Sequence, residues 1–367
     1  MPEGVPVANL YYSDSPWSCA ALIALEEKGY GQDEVLLKPV DTSKGHNYSP
    51  EYLRLNMSAN LPTLVVPLEK TLSADIESRY KAITDPKKIL EFLDNSRSAR
   101  SHTHTTSAAP GPSLSPATIA LSSISTTLID LLHTPSADPE LITTTNPLLL
   151  SPSSPPPEEF ISSYQDIVTT LKGYLASAEE GKFHVSDKVK AFWKSKLESH
   201  EELLQVLAPT GSEELKKQYL EKAIQAWKVG LKEVLEKVNK ELVGPYALGD
   251  QLSLADIHLA VWLARIAHLS GALPSEDGNS VIEKIETLVG IQFVKDISIA
   301  EARRRAGVGS AVKFPGTGPD GEANGATSYQ PIKPSNDKSS KQSKLATFWE
   351  TVKERPSWKK VYEAGLH

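Results

Sequence analysis

Hydrophobic and polar positions alternate in short blocks over residues 6–95. Val7–Tyr12 is a short apolar run of β-prone residues. Trp17–Lys28 has helical composition and runs into Gly29, a residue suited to ending a helix. Val35–Val40 and Leu61–Val66 are further strand candidates. Ser49–Leu55, between them, reads as a short helix with Pro50 where a first-turn proline is tolerated. Asp85-Pro86 places an N-cap and a first-position proline ahead of a helix over Lys87–Leu93. The order strand, helix, strand, short helix, strand, helix predicts an α/β sandwich containing a parallel βαβ unit.

Beyond residue 95 the pattern changes. Residues 95–113 are rich in Ser, Thr, Pro and Ala, a linker composition with too little apolar content to pack. Residues 116–133 recover helical spacing, with Ile119, Ile124, Leu128, Leu131 and Leu132 able to share a face. Ten of the 26 prolines fall between 110 and 157, so residues 134–157 read as loop, and any helix there must be short. From Glu158 to about Ala306 the chain is mostly helical, most clearly over Lys188–Ala208 and Glu213–Leu242. Residues 307–343, rich in Gly, Ser, Pro and Lys, read as an inserted loop, and Leu345–Gly365 as a closing helix interrupted at Pro356. The expected organisation is a small α/β domain over 1–95, a low-complexity linker over 96–113, and a helical domain over 114–367 with loop insertions near 134–157 and 307–343.

Composition narrows the function classes. The 367 residues are 40% hydrophobic and 23% charged, ordinary for a globular protein with a real core, and the length suits two compact domains. A net charge of −7 argues against a nucleic-acid partner, which needs clustered Lys and Arg. No apolar stretch approaches the roughly 18 residues of a membrane span. The start MPEGVPVANL lacks the basic-then-apolar pattern of a secretory signal. The single cysteine, Cys19, rules out an internal disulfide and a multi-thiolate zinc site. Together these features lead us to expect a reducing, cytoplasmic location.

Three clusters carry candidate chemistry. Ser13-Asp14-Ser15-Pro16-Trp17-Ser18-Cys19 lies where a strand gives way to a helix, a position whose free N–H groups and dipole favour an anion. Ser15-Pro16-Trp17-Ser18 matches a Cys-X-X-Cys tetrad with serine at both ends. Serine cannot exchange disulfides, but its hydroxyl can donate to a ligand's thiolate; the simpler role for Ser15 is a helix cap. In Asn60-Leu61-Pro62-Thr63-Leu64 a proline enters a strand, either as an ordinary trans residue or as a cis bond that turns the Leu61 backbone outward to pair with an extended peptide. Ser253 and Asp256 have capping-box spacing, with Leu252 and Ile257 as a hydrophobic staple, which is a folding element.

In combination, SPWSCAALIALEEKG, SPEYLRLNMSANLPTL, ILEFLDNS and GDQLSLADIHLAVWLARI resemble the glutathione transferases, and more narrowly the glutathione-transferase-like proteins of fungi. SPATIALSSISTTLIDLLH and the ending RPSWKKVYEAGLH share in the resemblance. It implies a thioredoxin-like N-terminal domain that binds glutathione and an all-helical C-terminal domain that holds a small hydrophobic electrophile, with detoxification as the broad role. It places Ser15 at the thiol-activating position, beside Pro16 and Trp17. Leu61 falls where a backbone pairs with the glutathione cysteinyl, Pro62 on the family's cis-proline, and Asn60 where a ligand-contacting Lys or Gln often stands. Glutathione is the implied co-substrate, no metal is required, and a homodimer is a common assembly.

One departure bears on function. The family usually opens the helix after its fourth strand with Glu-Ser, which holds the γ-glutamyl group; here Asp85 and Pro86 stand there. Asp85 can still accept from the ligand's α-amine, but Pro86 has neither hydroxyl nor N–H. The Glu77-Ser78 pair is at the wrong distance from Ile89-Leu90 to substitute. The alternative to a transferase is therefore a non-catalytic ligand-binding or regulatory protein of the same fold. Among other residues, Tyr11 and Tyr12 read as strand packing and Cys19 as a small buried hydrophobe. His102 and His104 read as linker residues, Trp262 and Arg265 as core packing and a surface charge, and Lys338–Lys344 as solvated loop.

Overall fold

The computed structural model describes residues 7–67, 80–97, 111–151, 155–298 and 341–367. Glu77, Ser78, His102, His104, Lys338, most of the expected linker and most of the 307–343 insertion lie outside the described residues.

A four-stranded sheet is built from β1 (Ala8–Tyr12), β2 (Val35–Pro39), β3 (Thr63–Pro67) and β4 (Tyr80–Ile83), in the order β2-β1-β3-β4. β1 pairs parallel with β2, across α1 (Pro16–Lys28), which is the expected βαβ unit. β1 with β3 and β3 with β4 are antiparallel. Thr63–Val66 are all buried, as a central strand requires. β4 is a strand the hydrophobic pattern does not reveal: it is a four-residue edge strand, exposed along most of its length.

Pro16 occupies the first turn of α1, and Gly29, at φ 68°, ends it in the left-handed conformation that glycine adopts without steric cost. α1 is buried nearly all round because it packs on both sides, against α3 (Pro86–Ser96) and against helices of the C-terminal unit. α2 (Pro50–Leu55) is capped by Ser49, which accepts from the Tyr52 N–H.

The helical unit begins with α4 (Ile119–Leu132). Residues 134–157, expected as loop, contain α5 (Pro139–Thr144) and one-turn 3-10 segments over Pro135–Ala137 and Pro147–Leu150, each opened by proline. Buried indoles tie these pieces down: Trp262 Nε1 donates to the Ala137 carbonyl at 2.8 Å and Trp227 Nε1 to that of Ile142 at 3.1 Å. α6 (Glu158–Glu179) and α7 (Asp187–Leu207) form a hairpin. α8 (Glu213–Ile224) continues through a π-helical segment, Gln225–Leu231, into α9 (Lys232–Glu241). α10 (Leu254–Leu269) is the central helix, buried continuously from Leu254 to Ala264. α11 (Gly278–Val289) follows, then a two-residue β5 (Ile297–Ser298) paired with β6 (Lys341–Gln342). α12 (Lys344–Lys353) and α13 (Pro356–Val361) close the chain, with Pro356 opening the second helix.

The described end of the lysine-rich segment expected as solvated loop lies in regular structure. Lys341 lies in β6, and Lys344 opens α12 and donates to the Leu242 carbonyl at 2.7 Å. Arg265, expected as a surface charge, is half-buried.

Buried polar contacts fasten the two units. Lys28 Nζ and Asp94 Oδ1 form a fully buried ion pair at 2.9 Å. Asp94 also accepts from the N–H groups of Leu114 and Ser115 and the Ser115 hydroxyl, while Lys28 donates to the Pro112 carbonyl. The Leu114 carbonyl in turn accepts from the Leu254 N–H at the start of α10. Arg355, ahead of α13, grips both carboxylate oxygens of Glu27 on α1 at 2.7 and 2.6 Å. Among the described residues no helix is long and apolar enough to cross a membrane.

Candidate functional site

The end of β1, the start of α1 and the entry to β3 meet at one point of the fold. The ladder between β1 and β3 ends with Tyr11 opposite Thr63, and continuing its register sets Leu61 across from Ser13, two residues before Ser15. The Leu61–Pro62 bond is cis, and both residues are buried. Leu61 makes no backbone hydrogen bond among the described residues. Its neighbours are firmly held. The Asn60 carbonyl accepts from the Tyr52 hydroxyl at 2.7 Å and from Asn56 Nδ2 at 2.8 Å, and both groups also reach the Thr63 hydroxyl. The Asn60 side chain is left exposed.

Ser15 stands at the N-cap position of α1, yet its side chain does not cap the helix. Its hydroxyl donates instead to Ser18 Oγ at 2.8 Å, which accepts the Ser13 N–H at 3.2 Å. The first N–H groups of α1 therefore keep their partial positive charge for something else. Ser15 is half-buried and Pro16 buried. Trp17 is committed to the domain seam, where its ring stacks on that of His133, at the end of α4, with centroids 4.1 Å apart. His133 Nε2 lies 3.1 Å from Nδ1 of the buried His258 on α10. Burial pushes the His133 pKa down to about 4 and that of His258 well below its ordinary value, so both rings are neutral at pH 7.

Asp85 is half-buried and caps α3 by accepting the Lys87 N–H at 2.9 Å. The structure thus brings Ser15, Leu61 and Pro62 to one mouth, sets Trp17 against the helical unit, and gives Asp85 a capping bond. Tyr11 packs edge-on to Tyr52, and Tyr12 packs against the core. Cys19 is buried, with Sγ 3.0 Å from His367 Nε2, and burial raises its pKa to about 12, which keeps the thiol protonated and inert.

Arg265, beside this mouth rather than in it, is the residue that sequence reasoning misplaces. From α10, its Nη2 donates at 3.0 Å to the carbonyl of Asp14, the residue before Ser15. The two positions are 251 residues apart, and no local pattern announces such a contact. Among the described residues no group of three His, Cys, Asp or Glu side chains could hold a metal ion. A hollow of about 960 Å³ opens between α9 and α11, lined by Lys232, Glu236 and Glu283 among others, and shares no residue with this mouth.

The N-terminal domain family of glutathione S-transferase matches residues 14–96, and the C-terminal domain family of glutathione S-transferase matches residues 221–282. The first match runs from α1 to α3 and includes β2, β3 and β4 but not β1, and the second runs from the end of α8 through α10 into α11, in the same order as in the fold. Together they support the glutathione transferase superfamily, with a thioredoxin-like N-terminal domain followed by a helical C-terminal domain. Similar solved structures include a glutathione transferase homolog from Sulfitobacter with bound glutathione, 14% identical over 98% of this chain and 99% of that one at a TM-score of 0.42. A beta-etherase from Sphingobium sp. strain SYK-6 is 13% identical over 98% of this chain and 100% of that one at a TM-score of 0.47. No curated protein matches the sequence.

Proposed function

We propose that the protein binds glutathione at the mouth of α1 and activates its thiol for attack on a hydrophobic electrophile. The observation that carries this reading is a serine at the cap position that leaves the cap unmade. Rotated from Ser18 toward a ligand, the Ser15 hydroxyl can donate to a thiolate, and the free first-turn N–H groups add the field of the helix N-terminus. Both lower a thiol pKa toward neutrality, which populates the nucleophile. The unused N–H and C=O of Leu61 offer the two bonds that an extended peptide needs, next to Pro62 and the exposed Asn60. Pro16 fixes the first turn, and Trp17 locks it to the helical domain. The helical domain supplies the second wall, where the electrophile would lie; we place this activity in the cytoplasm.

One observation favours a second reading. The Asp85 carboxylate already caps α3, and Pro86 offers no donor, so the γ-glutamyl end is held weakly. On that reading the protein is a ligand-binding or regulatory module that turns nothing over. Turnover of an aryl halide with glutathione, measured for wild type and Ser15→Ala, separates the two. A transferase loses about 10²- to 10³-fold in kcat, the range for losing one preorganised donor. Equal rates remove Ser15 from the role. Absence of glutathione binding by calorimetry removes the transferase reading.

A further inference from the structure

The three described arginines that are not fully exposed, Arg97, Arg265 and Arg355, meet different partners. Arg97 pairs with Glu34 at 2.5 Å, and Arg355 pairs with Glu27. Arg265 has no carboxylate within ion-pair distance among the described residues. Its side chain offers five donor hydrogens, and the structure pairs one, Nη2 to the Asp14 carbonyl, while Nε is buried without an acceptor. An arginine stays charged, and the half-buried Arg265 keeps guanidinium donors available for an anion.

The groups around Arg265 suit such a site. Tyr164 of α6, Tyr362 after α13, Cys19, His268 and His367 lie near enough to feel its charge. None of them carries a negative charge at pH 7. Burial holds both histidines below their ordinary pKa and both tyrosines above theirs. The acid nearby, Asp14, is exposed and contributes its carbonyl rather than its carboxylate. One fixed positive charge thus sits among hydroxyls and aromatic rings.

Covalent geometry fixes where that charge lies. Asp14 O and Ser15 Oγ belong to adjacent residues, so the guanidinium is within roughly 8 Å of the hydroxyl. It approaches from α10, in the helical domain, whereas Leu61 and Asp85, which define the peptide's run, belong to the sheet and α3.

We propose that Arg265 anchors a carboxylate on the second substrate, an apolar molecule that carries an acid group some bonds away from its electrophilic carbon. This rests on the transferase reading for the word substrate, but not for the binding itself. The anchor would select acidic over neutral electrophiles and would orient the reactive carbon toward the sulfur.

The test uses 4-phenylbutyrate and its uncharged amide as probes, with calorimetric titration of wild type, Arg265→Met and Arg265→Lys, with and without saturating glutathione. Wild type should bind the acid at least tenfold more tightly than the amide. Arg265→Met should bring the two together, Arg265→Lys should keep part of the gap, and glutathione affinity should be equal in all three. Equal binding of acid and amide by wild type, binding of neither, or a preference that survives in Arg265→Met overturns the proposal. So does a loss of glutathione affinity in Arg265→Met, which would assign the arginine to the Asp14 turn or to the tripeptide's own carboxylate. Acid preference without any glutathione binding would leave the anchor standing and remove the transferase reading.

Discussion

Asp85 and Pro86 are where two local demands compete. A helix N-terminus favours a short acidic cap followed by proline, and α3 has both. A γ-glutamyl clamp instead needs a free carboxylate and a hydroxyl or N–H beside it. The departure was legible in the sequence, because it compares residue types at fixed spacing from Ile89 and Leu90. The use of the carboxylate as a cap was legible too, since Asp before proline at a helix start is a local signature. Pro86→Ser restores the missing donor and leaves the Asp85 cap in place. Its expected effect is tighter glutathione binding by about tenfold, equivalent to one hydrogen bond of about 1.5 kcal/mol to a charged group. Calorimetry on the two proteins checks this, and unchanged affinity would mean that the γ-glutamyl group lies elsewhere.

At the scale of elements, the sequence speaks clearly where the determinant is local. Ser15-Pro16 to Gly29 bounds α1, and Ser253 with Asp256 forms the expected capping box at the start of α10. It is silent where the determinant is distant. β4 exists because β3 offers it an edge, not because YKAI alternates. The pieces within 134–157 are fixed by indoles about 85 and 125 residues away. The π segment over Gln225–Leu231 interrupts a helix of ordinary composition, and nothing in the structure explains its register. The capping box also does more than its spacing implies. Asp256 is fully buried and accepts from the Ala247 N–H, the Ser253 N–H and the Ser253 hydroxyl, which ties the preceding loop to α10. Asp256→Ala leaves those donors without acceptors and is expected to cost about 3–5 kcal/mol, several times the roughly 1 kcal/mol of Ser253→Ala. Urea unfolding of both variants checks the ratio; equal losses would reduce Asp256 to an ordinary cap.

For the whole molecule, the domain seam makes stability depend on pH. His133 and His258 meet between α4 and α10, and His200 is buried against Tyr48 and Tyr164, joining α7 to the N-terminal domain and to α6. Burial lowers the pKa of His133 and of His200 from 6.5 to about 4, and lowers that of His258 further. Between those values the unfolded chain binds more protons than the folded one. Stability is therefore fully present above pH 6.5 and is lost as pH falls toward 4. Each of His133 and His200 contributes roughly 1–3 kcal/mol to that loss. Asp256, raised by burial from 3.8 to about 6, acts in the opposite sense over its own window and offsets part of it. Carboxylates that the fold holds low, such as Asp94 and Asp277, act only below the ordinary carboxylate value of 3.8 and do not confuse the reading. Urea unfolding at intervals from pH 7.5 to 4.5 should show stability falling below about pH 6.5. His258→Gln removes one of the protons taken up on unfolding. The variant should lose some stability at pH 7.5 and show a shallower decline on acidification, because its remaining histidines carry the slope. An unchanged slope in His258→Gln would mean that the ring is already solvated in the native protein, with the seam around Trp17 open rather than packed.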